Sequence, residues 1–196
     1  MNIYNCPSDS DPIDLEGGEW NLNEDPNGLL LPCRFRMRSY NYYSWVIINQ
    51  QLLGPGVDEN KPGFDLLVDC NPDFLDAMFQ VIGGIAAWGA GTGDGSIFDE
   101  SPTSASGLVT GYRIREGIER FFITDINNPA ATAVAQSEVF VMLDDLNAGN
   151  VSMMNHVPGG CNVLYMDAHV EFVRYPGKTP VSVAMAVLNR DALDLI

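Results

Sequence analysis

His156, Cys161, Asp167 and His169 lie close together near the carboxyl end of the chain and are the residue types that bind zinc or move protons. Imidazole and thiolate are zinc ligands, and a His beside an Asp works as a general base. Their spacing argues against convergence. Asn162 to Tyr175 would make a 14-residue strand, long against the usual ~5 to 6, so a hairpin turning at Asp167 and Ala168 is predicted instead. A two-residue turn pairs Tyr165 with Val170 and Val163 with Phe172 on one face, and Met166 with His169 and Leu164 with Glu171 on the other. His169 then points away from the face of Tyr165, while Asp167 closes the turn. Ala168 is the awkward residue, because this position needs a positive φ and Ala there costs about 1 kcal/mol. For nucleophilic catalysis, Ser152 is the serine nearest His156, and no Gly-x-Ser-x-Gly elbow surrounds any serine. The expectation is therefore a protein that is not an enzyme. A hydrolase or metalloenzyme centred on His156 is the weaker reading, and it predicts stoichiometric zinc.

Calcium is the cation the acidic loops would take, since hard cations are held by several carboxylates and carbonyls on glycine-containing loops. Three clusters qualify: Asp9, Asp11 and Asp14; Asp94, Asp99 and Glu100 beside the glycine loop; and Asp144 and Asp145 with Asn147 after a strand end. None fits the twelve-residue EF-hand pattern. Gly89, Gly91, Gly93 and Gly95 alternate around Asp94, but they follow a predicted helix and not a strand, so they read as a loop and not as a phosphate cradle.

The elements that must position these residues are marked by Gly and Pro, without repeats or low-complexity blocks. Arg34 to Leu53 reads as strand or strand plus turn, with Tyr40, Tyr42, Tyr43 and Trp45 leading into Val46, Ile47 and Ile48, and Gly54 and Pro55 ending it. Asn71 predicts an N-cap with Pro72 at the first helical position, and Phe74, Met78, Val81, Ile82 and Ile85 carry helical spacing up to Trp88. Gly83 and Gly84 weaken that helix by about 1 kcal/mol each. Leu108 to Asn127 reads as strand, strongest over Ile118 to Ile126, and Val139 to Leu143 as a short buried strand. A second helix is predicted from Thr179 and Pro180 toward Ile196. Strands and helices in no regular alternation give an α+β class on an antiparallel sheet with long loops, a C-terminal hairpin and a C-terminal helix.

With 196 residues, 46% hydrophobic and 18% charged, the chain has the size and composition of one globular domain, 1–196, able to bury about 70% of its unfolded surface. Its net charge of −16 opposes any phosphate backbone, so nucleic acid and anionic lipid surfaces are not expected partners. Seven of the carboxylates fall within residues 1–33, which contain no Lys or Arg and read as an acidic, loop-rich arm. Arg34, Arg36 and Arg38 follow at a period of two, placing three guanidinium groups on one strand face that could offset the arm. Exposed ion pairs of that kind are worth about 0 to 1 kcal/mol. The longest apolar runs, Trp45 to Ile48 and Val81 to Trp88, fall far short of the ~20 residues of a membrane span, so the chain as given is expected to be soluble.

Cys6, Cys33, Cys70 and Cys161 include no C-x-x-C pair, and spacing leaves three disulfide connectivities open. The favoured one joins Cys6 to Cys33, closing a loop worth roughly 3.5 kcal/mol in the chain-entropy model, and leaves Cys70 for Cys161. Four reduced, buried thiols are the alternative.

The run Asn155-His156-Val157-Pro158-Gly159-Gly160-Cys161-Asn162-Val163-Leu164-Tyr165-Met166-Asp167-Ala168-His169-Val170-Glu171-Phe172 resembles the signature of a bacterial pilin-like family. That family is the prepilin-type, processing-associated group named for a His followed after nine residues by Asp-Gly. In this chain ten residues separate His156 from Asp167, and Ala168 replaces the Gly. Cys6-Pro7-Ser8-Asp9 is similar to the Cys-Pro-Ser-Asp box that family members carry after their N-terminal helix, and Ile118 to Pro129 adds a third stretch. His156, Gly159, Gly160, Asn162 and Asp167 are the motif positions. The resemblance implies the extracytoplasmic head of a pilin-like or type II secretion pseudopilin subunit, at the periplasm or cell surface. Its partners would be other pilin-like subunits, met through an apolar N-terminal helix that also anchors it in the membrane, with the sequence starting after that helix. The family's major pseudopilins use calcium, but no motif carries that onto named positions. The rival expectation is a secreted carbohydrate- or calcium-dependent binding module in which Tyr40 to Trp45, with Trp20 or Trp88, stack on a sugar.

Overall fold

A computed structural model of the chain describes residues 6, 8, 17–18, 21–29, 39–115, 117–118, 136–149, 154–156 and 159–193. The described strands form one antiparallel sheet in the order β1 (Tyr40–Tyr42), β2 (Phe140–Asp144), β3 (Gly160–Tyr165) and β4 (Val170–Arg174). The helices are α1 (Asn49–Leu52), α2 (Leu66–Asp69), α3 (Pro72–Gly89) and α4 (Val183–Leu188). This is an α+β fold on an antiparallel sheet. Among the described residues no helix is long and apolar enough to cross a membrane.

Alternation along β3 sets the two faces of the sheet. Cys161, Val163 and Tyr165 are buried and point into the main core with Leu143 of β2 and Val173 of β4, while Asn162 and Leu164 face the other way. The core side is closed by α3, through Phe74, Leu75 and Met78, and by α4, whose Ala184, Met185, Ala186 and Leu188 are completely buried. Burial of that many methyl and methylene groups is the main force holding helices to sheet, at about 0.8 kcal/mol per CH₂.

Helix α3 starts where its sequence says. The Asn71 side chain accepts from the Asp73 N–H at 3.0 Å and Pro72 occupies the first turn, so two of the orphan helix donors are answered or removed. Gly84 belongs to the packing: a Cβ there would stand 2.6 Å from Ile97 Cγ1, so the glycine admits the 3₁₀ turn Ser96–Asp99 against the helix. Nothing lies within 4 Å of the Cβ position at Gly83. Helix α4 begins at Val183, later than Thr179 and Pro180 predicted, because Ser182 supplies the cap to the Met185 N–H. The loop before α2 braces it: Asn60 Oδ1 accepts from the Val183 N–H, the Glu59 carbonyl from the Ala184 N–H, and the Glu59 carboxylate from the Thr179 N–H and Asn49 Nδ2.

Several expected strands are shorter or different. Within the described part of Arg34 to Leu53, residues 39–53, the strand is Tyr40–Tyr42, and Asn49–Leu52 turns into a helix. The described part of Leu108 to Asn127 makes isolated bridges, Thr110 with Thr103 and Arg113 with Trp45, and no strand. Around the Arg113–Trp45 bridge the pairing is two hydrogen bonds long, the Val46 N–H to the Tyr112 carbonyl and the Ile114 N–H to the Ser44 carbonyl, while the Arg113 guanidinium donates to the Phe98 and Ser44 carbonyls and covers the Trp45 ring at 4.9 Å. The hairpin exists, but its register differs by one residue: Leu164 pairs with Val170, Val163 with Glu171 and Asn162 with Phe172. The loop holds three residues, Met166 to Ala168, with Ala168 at φ 71° and its N–H donating to the Tyr165 carbonyl. A three-residue loop ending in a left-handed residue is the next common hairpin connection after the two-residue one. Arg34, Arg36, Arg38, Cys33, Trp20, Ser152, most of the acidic arm and residues 119–135 lie outside the described residues.

Candidate functional site

On the sheet face turned away from the core, Asp144 at the end of β2 sits beside Asn162 of β3. Asp144 is only 3% exposed, yet it is a carboxylate. A buried carboxylate is costly unless hydrogen-bonded or countered by positive charge. Asn162 answers with two donors to one oxygen, its backbone N–H at 2.7 Å and Nδ2 at 2.8 Å, both on Asp144 Oδ2. His156 supplies the third contact, with Nε2 3.0 Å from the same oxygen and 3.0 Å from Asn162 Nδ2. Its ring is set edge-to-face on Phe172 of β4, 5.9 Å between centroids. From the amino-terminal end of the chain, Cys6 places its Sγ 3.8 Å from His156 Nε2.

The loop that carries His156 into place depends on its glycines. At Gly160 φ is +154°, and a Cβ would meet Phe172 Cζ at 2.6 Å and the Val173 carbonyl oxygen at 2.8 Å, so β3 can start there only without a side chain. Gly159 also has a positive φ, 134°. Asn155, fully buried, donates from Nδ2 to the Ser39 carbonyl and ties the same loop to the chain entering β1.

The arrangement does not form a nucleophilic relay. A thiol–imidazole–carboxylate relay needs thiol and carboxylate on opposite ring nitrogens, one to give up a proton and the other to orient the ring. Cys6 and Asp144 both address Nε2. Of the other sequence candidates, Asp167 and His169 pair with each other in the hairpin loop, Nδ1 to Oδ1 at 2.5 Å, with the His169 ring stacked on Tyr165 at 4.3 Å. The His169 N–H and ring bonded to Asp167 hold its carboxyl below the usual carboxylate range. His169 therefore does face Tyr165, contrary to the two-residue turn, because the longer loop puts the two residues opposite one another.

Cys161 points into the core and its Sγ donates to the Asp145 carbonyl at 3.7 Å. Cys6, Cys70 and Cys161 are all buried free thiols, so the expected Cys70–Cys161 disulfide is not formed. Cys70 lies after α2, bridged to Leu53, whereas Cys161 is inside β3; each fills its own packing slot as a small hydrophobe. Burial pushes the Cys70 thiol up to about 12, and burial raises Cys161 further. Cys6 is turned to His156, and Cys33, its expected partner, lies outside the described residues.

Of the acidic clusters read for calcium, Asp9, Asp11 and Asp14 lie outside the described residues, and the members of the other two take separate local hydrogen bonds. Asp94 caps the Ser96 N–H, Asp99 ends the 3₁₀ turn, and Glu100 takes part through its carbonyl, which accepts from Trp45 Nε1. Asp145 takes a hydrogen bond from Asn41 while Asp144 turns to His156. Among the described residues, Cys6, Asp144 and His156 are the group of His, Cys, Asp or Glu whose ligand atoms come within 4.8 Å of one another. Sequence reasoning singled out each of the three separately and missed their meeting. The aromatic run lines a largely apolar cavity of about 440 Å³ with Phe74, Met78, Ile82 and Leu188. One face of Trp45 is covered there by Arg113.

The fold and site define an α+β domain whose antiparallel sheet carries a His–Asp–Cys cluster on its outer face. No protein-family model, curated protein or solved structure matches the chain.

Proposed function

We propose that the chain is a structural, non-enzymatic subunit: the extracytoplasmic head of a pilin-like or pseudopilin protein that assembles with other such subunits into a surface or secretion filament. The observation that carries this reading is the meeting of Cys6 and His156, 150 positions apart in sequence. Each belongs to one stretch of the pilin-like signature, and Asp144 joins them. The remaining motif residues serve shape as well: Gly160 clears Phe172, Asn162 holds Asp144, and Asp167 with Ala168 closes the hairpin. Both polar partners facing one ring nitrogen favours an architectural cluster over a catalytic one. The buried thiols give no support to an oxidising compartment. The extracytoplasmic placement, and the membrane anchor through an N-terminal helix, follow from the resemblance alone. Immunogold labelling of the source cells tests the reading: labels along filaments or at envelope secretion sites support it, and labels confined to the cell interior overturn it.

A further inference from the structure

We propose that Cys6, His156 and Asp144 form a zinc site that clasps the amino-terminal arm to the outer face of the sheet. Three independent observations point there. First, the donor atoms converge: Nε2 of His156 is 3.0 Å from Asp144 Oδ2 and 3.8 Å from Cys6 Sγ, and all three atoms lie within 4.8 Å of one another. Tetrahedral zinc with ordinary bond lengths separates nitrogen from oxygen by ~3.4 Å and nitrogen from sulfur by ~3.6 Å. The nitrogen–oxygen and nitrogen–sulfur separations straddle those values, and the sulfur–oxygen separation stays within 4.8 Å. Second, a thiol, an imidazole and a carboxylate are a zinc set: calcium and magnesium take oxygen ligands, whereas zinc accepts all three kinds. Third, the site is supported and reachable. Asn162 holds the Asp144 carboxylate with two donors, as an outer shell does for a ligating group, and the His156 side chain is 27% exposed.

On binding, the Cys6 thiol proton leaves to solvent and the thiolate, neutral Nε2 and the carboxylate each give an electron pair to the ion, with water in the fourth position. No oxidation state changes. The ion supplies a positive partner to a buried carboxylate. The site does not depend on the filament reading, since zinc would hold the arm equally in any setting.

Cobalt(II) titration of the metal-stripped, reduced protein tests the site. The expected result is a near-ultraviolet thiolate-to-cobalt charge-transfer band that saturates at about one ion per chain and is displaced by zinc. Cys6→Ala removes the band, Asn162→Ala weakens binding about 10- to 100-fold, and His169→Gln changes neither. A wild-type protein with no such band, a band that survives Cys6→Ala in a folded variant, or mass mapping that places Cys6 in a disulfide in the native protein would each overturn the proposal.

Discussion

Asn162 gives both its backbone N–H and its side-chain Nδ2 to a single oxygen of Asp144, so a carboxylate with 3% of its surface exposed is held by a residue of the neighbouring strand. The carboxylate in turn fixes His156, and with it the approach of Cys6. Alternation in β2 makes this possible: Leu143 enters the core and Asp144 takes the opposite face.

Removing that carboxylate should be expensive. Asp144→Ala leaves two Asn162 donors and the His156 ring without their acceptor, and the expected loss is about 3 kcal/mol in urea unfolding. A loss below about 0.5 kcal/mol, the scale of an ordinary surface substitution, contradicts the assignment.

Ala168 holds φ 71°, a conformation that costs a residue with a Cβ about 1 kcal/mol and glycine almost nothing. Ala168→Gly is therefore a stabilising substitution, expected to raise the urea midpoint without changing the slope. An unchanged or lower midpoint counts against the three-residue loop. The sequence marks this position as costly for the right reason, the missing glycine, while misplacing the turn by one residue. Hydrophobic alternation does not settle the register here because Val170 and Phe172, 62% and 49% exposed, lie on an outward face and give no pattern to read.

The thiols make a direct chemical prediction. With Cys70 pushed up to about 12 and Cys161 also raised by burial, neither forms appreciable thiolate at pH 8, so iodoacetamide should leave both unmodified in the native protein. Both should alkylate fully in denaturant without reductant. Recovery of a Cys70–Cys161 linked peptide contradicts the structure.

Asp69, 4% exposed, accepts from Lys61 Nζ at 2.6 Å and from the Asp65 N–H at 2.9 Å, and these bonds hold its carboxyl below the usual range, the Lys61 bond most. A depressed folded-state value stabilises above the unfolded carboxylate range and loses that stabilisation as pH falls through the folded value. Stability against pH should thus decline in strongly acid solution, and Lys61→Met should shrink the decline. If Lys61→Met leaves the acid limb of the wild-type curve unchanged, this pairing is not its source.

Much of the fold is legible locally. Asn71-Pro72 announces α3, Val139 to Leu143 gives β2 nearly to the residue, and the hairpin follows from Asp167 and its flanks. The candidate site is not legible that way. Cys6, Asp144 and His156 come from an arm, a strand end and a loop, and no periodicity links residues so far apart. The described part of Leu108 to Asn127 pairs through isolated bridges, and its Arg113 side chain bonds the Phe98 and Ser44 carbonyls, contacts that no hydrophobic pattern reports.

The filament reading stands or falls on where the protein resides in its source cells. Shearing intact cells and blotting the released surface material, alongside protease treatment of unbroken cells, reads this directly. The account predicts that the protein is in the sheared filaments or is trimmed by external or periplasmic protease while a cytoplasmic marker stays intact. Recovery of all of it, undigested, in the soluble cytoplasmic fraction contradicts the account.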